Sequence, residues 1–352
     1  MNPLILFMLD FTIIAYKKCF VNMNTLIDII KKAQTVAIIS HVGPDGDTLG
    51  SMLGLSIALK QFSNLQKIDN IILGKLPEVY SFLPETDSLK TASDETLLDK
   101  YDLVISVDCA AEDRLAEALS IFKKARISIN IDHHQTNKGF GMINIIDTKA
   151  SSVGEMLVDI IDQIGCNLTK EIAICLYVSI LTDTGGFRFE NTSSKTLATC
   201  AKLLEKGIKP DEVFKKCYEQ KPLNMILLQA FAINNAKFEE DDKIAYALVS
   251  RETIEKFGSQ DSYTDGISEA LRQAQTVEIS MVLKETQNGN TKISLRSKNV
   301  DICKIAEFFG GGGHRLAAGC VIEKKPKDAI NEILPIAKKQ LLNYEEKSKK
   351  SS

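Results

Sequence analysis

The sequence predicts an α/β fold in two parts: an N-terminal domain with a parallel sheet, and a smaller α+β domain for substrate binding, with a cleft between them. In the first part, continuous apolar runs bounded by turn residues alternate with helical segments. This alternation is typical of a parallel sheet with helices on both faces. After about residue 237 the pattern changes to paired strands and a closing helix. The length of 352 residues suits two domains.

The first domain begins with an amphipathic helix at 24–32, where apolar residues recur at helical spacing. Buried parallel strands are predicted for four apolar runs, at 36–40, 68–73, 103–107 and 127–131. Helices are predicted between and after these strands, at 49–62, at 113–124 and across 151–206. The first domain is therefore expected to span residues 23–206.

The second domain follows a segment rich in charges, with a glycine and two prolines at 207–222, which predicts a linker. A helix is predicted at 223–237, and Asn288-Gly289 is typical of a hairpin turn. Strands are expected on both sides of that turn and near the end of the chain, at 244–250, 277–285, 292–296 and 320–323, before a helix at 325–344. The domain should span 223–345 and end in a disordered polar tail, 346–352.

The amino terminus differs in pattern from the rest of the chain. An apolar run at 4–16 is interrupted by Asp10 and followed by two lysines. It is too short for a membrane span, and its charges follow the apolar part, the reverse of a secretory signal. The amphipathic pattern of the fold begins at Met23. We therefore expect residues 1–22 to be an extension outside the fold.

Composition narrows the class of function. The net charge of −3 argues against a broad basic face for long duplex DNA. It is compatible with a short anionic substrate held by a few arginines and a metal. The eight cysteines form no Cys-x-x-Cys pair, which argues against a zinc ribbon and indicates reduced thiols in a cytoplasmic protein.

All four histidines lie in motif-like stretches beside aspartates or glycines. Several aspartates and histidines follow predicted strands, and carboxyl ends of parallel strands are where open α/β folds bind ligands. Imidazole and carboxylate together suit Mn²⁺ and similar divalent ions, and six donors are enough for two ions bridged by a shared carboxylate. We predict metal ligation by His41, Asp45, Asp47, Asp108, His133 and Asp183. Such a centre indicates hydrolysis of a phosphate ester.

Most of these residues also have a simpler interpretation. Asp45 could merely cap the helix that begins near Thr48, Asp108 could cap the next helix, and Asp183 could lie in a loop after a helix. The adjacent His133 and His134 are harder to explain, because two imidazoles after a buried strand need partners. One could bind metal and the other a substrate phosphate, with the preceding aspartate orienting a ring. Four such coincidences together favour a site.

The second domain carries a glycine-rich segment, Gly310-Gly311-Gly312-Gly313-His314. Successive backbone N–H groups in such a segment can cradle a phosphate or a ribose. A flexible linker is the alternative, but the segment runs directly into a predicted strand. Arg296 ends another strand and could clamp a phosphate. Arg188, Arg114 and Arg272 are weaker candidates, since such arginines are more often solvated.

The motifs HVGPDGDTLGS, VDCA, IDHH, LTDTGGFRFENTSSKT, SLRSK and FGGGGHRLAAG together resemble the DHH phosphoesterase superfamily with its DHH-associated domain. The resemblance covers about residues 23–345 and is strongest to the branch of oligoribonucleases (nanoRNases) that are also 3′-phosphoadenosine 5′-phosphate phosphatases. It implies that Asp108 bridges two ions, one held also by His41 and Asp45, the other by Asp47, His133 and Asp183. His134 would contact the scissile phosphate, and Gly311, Gly312, Gly313 and His314 the far end of the substrate.

The expected function is hydrolysis of short single-stranded RNA to nucleoside 5′-monophosphates, and of 3′-phosphoadenosine 5′-phosphate to AMP. The resemblance implies Mn²⁺, with Mg²⁺ or Co²⁺ as alternatives, and catalysis by Asp108, His133 and His134. Alternatives within the superfamily are a phosphodiesterase for cyclic or linear dinucleotides, a RecJ-type exonuclease and a pyrophosphatase. Alternatives of other classes are a non-catalytic nucleotide sensor and a structural protein. We expect no membrane or long duplex DNA as partner, and we consider a homodimer.

Overall fold

The computed structural model describes residues 12–15 and 23–351. The chain forms two compact units, Met1–Gln220 and Lys221–Ser352. Each unit has its own sheet and its own buried apolar core. The prediction of an α/β fold with a second, smaller α+β part is confirmed.

The first unit contains a seven-stranded sheet. Its strands are β1 (Thr12–Ala15), β2 (Thr35–Val42), β3 (Lys67–Leu73), β4 (Leu89–Lys90), β5 (Leu103–Val107), β6 (Ile127–Asp132) and β7 (Ile143–Ile146). The order across the sheet is β1-β7-β6-β5-β2-β3-β4. Six strands are parallel, and β1 pairs antiparallel with β7 at one edge. The carboxyl ends of β2, β5 and β6 therefore lie side by side.

Helices cover this sheet and pack on one another. They are α1 (Met23–Lys32), α2 (Gly46–Leu59), α3 (Leu119–Lys124), α4 (Val153–Gln163), α5 (Lys170–Asp183), α6 (Ser194–Leu204) and α7 (Pro210–Tyr218). Three 3-10 helices also occur, Glu78–Tyr80, Thr86–Ser88 and Glu112–Ala118. Helix α5 is buried from Ile172 to Leu181 except at position 174, because apolar residues occupy its whole circumference.

Glycines at every fourth position let α2 approach α5 closely. A Cβ atom at Gly50 would overlap the carbonyl oxygen of Cys175, and one at Gly46 would overlap the side chain of Thr182. Residues four apart lie on one face of a helix, so Gly46, Gly50 and Gly54 form a continuous flat contact. This contact brings the first turn of α2 beside the last turn of α5.

The second unit contains a mixed six-stranded sheet with the order β12-β13-β11-β10-β9-β8. Its strands are β8 (Lys237–Glu239), β9 (Ile244–Val249), β10 (Ile279–Glu285), β11 (Thr291–Ser297), β12 (Gly312–His314) and β13 (Ala317–Ile322). Its helices are α8 (Leu223–Asn234), α9 (Arg251–Lys256), α10 (Ile267–Arg272), α11 (Cys303–Phe308) and α12 (Pro326–Ser351), with a 3-10 helix at Asp261–Thr264. As predicted, Asn288-Gly289 lies in the turn joining β10 and β11, which pair antiparallel.

Three segments differ from the expected boundaries. The segment 207–222, expected as a linker, contains helix α7, which begins with Pro210 at its first position and packs Val213 into the core. Helix α12 continues through 346–351, expected as a disordered tail, because its lysines and glutamates favour helix. Within the expected extension, 1–22, Thr12–Ala15 pairs with β7; its other residues lie outside the described part of the chain.

The sequence raised two expectations, one about the cysteines and one about membrane spans. The seven cysteines that the structure describes are free thiols. Five of them are buried, as small apolar residues would be. Among the described residues, no helix is both long and apolar enough to cross a lipid bilayer.

Candidate metal centre

The predicted ligands lie together where β2, β5 and β6 end. His41 is the penultimate residue of β2, Asp108 directly follows β5, and His133 directly follows β6. Asp47 lies in the first turn of α2, and Asp183 is the last residue of α5. Carboxyl ends of parallel strands, together with two packed helix ends, thus bring distant parts of the sequence to one place.

A first group of donors consists of His41, Asp45 and Asp108, whose ligand atoms lie within 4.8 Å of one another. His41 Nε2 is 3.5 Å from Asp108 Oδ2. The hydroxyl of Thr48 contacts all three, at 2.8 Å from His41 Nε2, 3.2 Å from Asp45 Oδ1 and 2.6 Å from Asp108 Oδ2. Asp45 also caps α2 by accepting from the Thr48 N–H at 3.1 Å. The capping interpretation and the donor interpretation of Asp45 therefore both hold.

A second group consists of Asp47, His133 and Asp183, again within 4.8 Å. His133 Nε2 is 3.6 Å from Asp47 Oδ2 and 3.5 Å from Asp183 Oδ2. The same nitrogen is 3.8 Å from Asp108 Oδ1. Asp108 thus presents Oδ2 to the first group and Oδ1 to the second. This is the arrangement that a bridging carboxylate requires.

Buried hydroxyl and amide groups fix the orientation of Asp47. Its Oδ1 accepts from the hydroxyls of Ser179 at 2.5 Å and Ser51 at 3.0 Å, and its Oδ2 accepts from the Val153 N–H at 2.9 Å. These donors come from α5, α2 and α4. Three helices therefore hold one carboxylate in place, as is usual for metal-ligating carboxylates.

Hydrogen bonds at Nδ1 orient the histidine rings. His133 Nδ1 lies 3.2 Å from the Ala150 carbonyl oxygen, which leaves its Nε2 facing the carboxylates. His134 Nδ1 lies 2.7 Å from Asp132 Oδ1, and Asn137 donates to Asp132 Oδ2 at 2.6 Å. Asp132 is therefore the orienting residue that the sequence indicated.

The backbone of Asp108 has an uncommon conformation. Its φ of 56° lies in the left-handed region, which costs a non-glycine residue about 1–2 kcal/mol. Its N–H donates to the Ile131 carbonyl oxygen at 2.9 Å, which ties the turn to β6. Strain of this kind is found mostly at functional sites.

The electrostatics of the centre favour a cation. Burial, followed by the charges of neighbouring aspartates, raises the pKa of Asp108 well above its ordinary value. Burial and the charge of Asp47 raise the pKa of Asp183 to about 7. Burial also lowers the pKa of His41, which favours the neutral imidazole that binds metals. Divalent ions would offset the repulsion between these carboxylates, so the residues fit a metal pair.

His134 has the opposite electrostatic environment. Burial opposes its charged form, but the hydrogen bond and charge of Asp132 outweigh burial and raise the pKa of His134 to about 9. Its Nδ1 is 3.6 Å from Asp108 Oδ1. An imidazolium at this position can donate to a phosphate oxygen.

The two predicted substrate-binding arginines lie in different units of the chain. Arg188 is exposed in the first unit, after α5, and its Nε donates to the Gly185 carbonyl oxygen at 2.7 Å. Arg296 lies on β11 of the second unit, where its Nε donates to Glu269 at 2.7 Å. Arg296 is therefore paired with a carboxylate.

The glycine-rich segment forms a hairpin instead of the expected run of N–H groups. The N–H groups of Gly310 and Gly311 are bonded to carbonyl oxygens at the end of α11. Gly312 begins β12, which pairs with β13 across a two-residue turn. A Cβ atom at Gly311 or Gly313 would overlap the backbone of β13, so close strand approach requires these glycines. His314, at the end of β12, is exposed.

Two residues of the centre have no signal in the sequence, and a third has only a weak one. Thr48 and Ser179 hold the carboxylates by contacts that only the packed helices create. Arg114, which the sequence offered only as a weaker candidate for binding phosphate, places its Nη2 2.9 Å from His41 Nδ1. The sequence separation of Arg114 and His41 is too large for any local pattern to indicate this contact.

Comparisons with known proteins identify the family of the chain. Residues 35–180 match the DHH family, N-terminal domain, and residues 241–343 match the DHHA1 domain. The chain is 31% identical to a probable bifunctional oligoribonuclease and PAP phosphatase NrnA of Streptococcus mutans, over 84% of this chain and 92% of that protein. It is 30% identical, with the same coverage, to the bifunctional oligoribonuclease and PAP phosphatase NrnA of Bacillus subtilis.

A solved structure is also similar. An exopolyphosphatase-related protein from Bacteroides fragilis superposes with a TM-score of 0.84 at 27% identity, over 92% of this chain and 96% of that chain. Both domain matches, the curated relatives and the structural match agree with the family indicated by the motifs. The chain belongs to the DHH family of phosphoesterases and carries a DHHA1 domain.

Proposed function

We propose that this hydrolase cleaves short single-stranded oligoribonucleotides to nucleoside 5′-monophosphates and 3′-phosphoadenosine 5′-phosphate (PAP) to AMP. Relatives that match most of the chain are named as enzymes with these two activities. Both reactions break a phosphate ester bond, so a single centre suffices for both. The position of Asp108 between two groups of donors is the observation that carries the proposal.

We infer that two Mn²⁺ ions occupy the centre, with Mg²⁺ or Co²⁺ as alternatives. His41, Asp45 and Asp108 would hold one ion, and Asp47, Asp108, His133 and Asp183 the other. When bound, the ions supply Lewis-acid stabilisation of the phosphate and activation of water. The mixture of imidazole and carboxylate donors, without cysteine, supports ions of this class.

The residues of the chain have separate tasks in this proposal. Asp108 and His133 fix the spacing of the two donor groups. His134, kept protonated by Asp132, donates to an oxygen of the scissile phosphate and stabilises its developing charge. The serines around Asp47 hold the centre in place before substrate arrives, so no reorganisation is needed during reaction.

The remainder of the substrate would bind to other residues. We propose Arg188 near the centre, and in the second unit Arg296 together with Gly311, Gly312, Gly313 and His314. Exposure of Gly312 and His314 supports contact with a nucleotide. We also propose that the protein acts in the cytoplasm and that it assembles as a homodimer.

A substrate panel tests the function. We would incubate the protein with Mn²⁺ or Mg²⁺ and a dinucleotide, a five-nucleotide RNA, a longer RNA, PAP and a cyclic dinucleotide. We expect mononucleotides from the short RNAs, AMP from PAP, and slow or no cleavage of the longer RNA. Asp108→Asn is the inactive control. Turnover confined to the cyclic dinucleotide would contradict the proposal, as would binding of nucleotides without any hydrolysis.

A further inference from the structure

We propose that Arg114 binds a phosphate of the substrate at the edge of the first donor group. The inference rests on the proposed function, because it assigns a recognition residue to that same centre. The structure places the Arg114 guanidinium 2.9 Å from His41 Nδ1 and 3.4 Å from the Val42 carbonyl oxygen. Arg114 therefore lies at the end of β2, beside the donors of the first group.

The position of Arg114 is fixed by the fold. It lies in the 3-10 helix Glu112–Ala118, which follows β5 and the turn that holds Asp108. The next residue, Leu115, is fully buried in a core cluster with Ala37 and Ile39 of β2. The burial of Leu115 therefore anchors the backbone of Arg114 beside the centre, as the positioning of a recognition residue requires.

The hydrogen bonds at His41 Nδ1 indicate that the contact with Arg114 must change when an ion binds. Nδ1 is 2.9 Å from the Val42 carbonyl oxygen, which only accepts, and 2.9 Å from Arg114 Nη2, which only donates. One nitrogen cannot satisfy both. If Nε2 binds an ion, the proton of the neutral ring lies on Nδ1 and is donated to Val42. The guanidinium then loses its acceptor on His41 and keeps only the Val42 carbonyl oxygen, at 3.4 Å, so it can accept a further partner.

A phosphate is the acceptor that fits. Within the described parts of the chain, no carboxylate oxygen lies within ion-pair distance of Arg114, whereas Arg251 has two such partners and Arg296 has one. The side chain is half-buried, so water can satisfy only part of it. A guanidinium binds phosphate oxygens through two parallel N–H bonds, which gives both strength and geometry.

Binding of AMP, the expected product, tests this role without turnover. Calorimetric titration with AMP in saturating Mn²⁺ would compare the wild type with Arg114→Ala, Arg114→Lys and Arg126→Ala. Arg126 is the matched control, because it is an exposed arginine just before the amino end of β6, whereas the centre lies at the carboxyl ends of the strands. We expect the Kd for AMP to rise about 10- to 100-fold in Arg114→Ala, partly recover in Arg114→Lys, and stay unchanged in Arg126→Ala.

A second titration, with Mn²⁺ alone, separates substrate binding from positioning. Arg114→Ala should keep the wild-type number of ions and their Kd within about threefold, because the carbonyl oxygen of Val42 alone satisfies the ring. An unchanged Kd for AMP would overturn the inference. So would a loss of Mn²⁺ affinity as large as the loss of AMP affinity, since Arg114 would then act through His41. Failure of the wild type to hydrolyse any substrate would instead refute the proposed function, whereas the AMP titration would still report on Arg114.

Discussion

Replacing Asp183 by asparagine should stabilise the metal-free protein at alkaline pH, although it removes a member of the centre. Burial, and then the charge of Asp47, raise the pKa of Asp183 from its ordinary 3.8 to about 7. The folded protein therefore binds this proton more tightly than the unfolded chain does. Between these two pKa values, the free energy of unfolding falls as the pH rises. The contribution is unfavourable at pH 8 and absent below about pH 4.

The size of the effect follows from the pKa. A rise from 3.8 to about 7 corresponds to about 4 kcal/mol, since each pKa unit is worth about 1.4 kcal/mol. The side chain of Asp183 is 30% exposed, so solvent screens part of the repulsion, and we expect about 2 kcal/mol. Asparagine cannot ionise, so the variant should lack this dependence on pH.

Urea unfolding in EDTA at pH 4.5 and pH 8 measures this difference in the free energy of unfolding, with exposed Asp87→Asn as the matched control. Asp183→Asn should be more stable than the wild type by about 2 kcal/mol at pH 8 and nearly equal to it at pH 4.5. Excess Mn²⁺ should reverse the order at pH 8, because only the wild type keeps the full donor set. An Asp183→Asn protein less stable than the wild type at pH 8 in EDTA would refute the reasoning.

Two further changes test packing and charge. Gly50→Ala should lower the free energy of unfolding by about 1–3 kcal/mol, because its Cβ would overlap the Cys175 carbonyl oxygen. Urea unfolding measures this against Gly312→Ala, where the Cβ has open space, and equal stabilities would contradict the packing. Asp132→Asn should lower the pKa of His134 from about 9 towards its ordinary 6.5. As the pH rises, activity that needs the imidazolium would then be lost at a lower pH than in the wild type. An unmoved alkaline limb of the kcat profile would contradict this.

The strands that the sequence predicted are those with continuous apolar runs. Strands β2, β3, β5 and β6 are buried on both faces, so their composition alone distinguishes them. Strand β7 has only four residues and follows a glycine-containing loop, and β4 has two, so neither gives a pattern long enough to detect. The edge strand β4 and strand β7, which lies beside the other edge strand β1, were therefore missing from the prediction, whereas the four strands at the centre of the sheet were confirmed.

The donors could be predicted because each occupies a local motif and most follow a strand. The residues that hold these donors in place could not be predicted. Ser179 reaches Asp47 only because glycines let α2 approach α5, and a contact between residues 132 positions apart leaves no local trace. The hairpin of β12 and β13 shows the reverse problem. Glycines that suggested a phosphate cradle are also required by strand packing at Gly311 and Gly313, so their part in substrate binding stays a prediction.

The number of Mn²⁺ ions bound per chain tests the central claim most directly. Calorimetric titration of the metal-free protein, checked by elemental analysis after gel filtration, should give two ions for the wild type. Asp108→Asn should weaken both sites, since each oxygen of this carboxylate faces one donor group. Exposed Asp113→Asn, in the 3-10 helix after β5, is the matched control and should still bind two. A single ion in the wild type, or two ions bound with unchanged affinity by Asp108→Asn, would contradict a bridged pair.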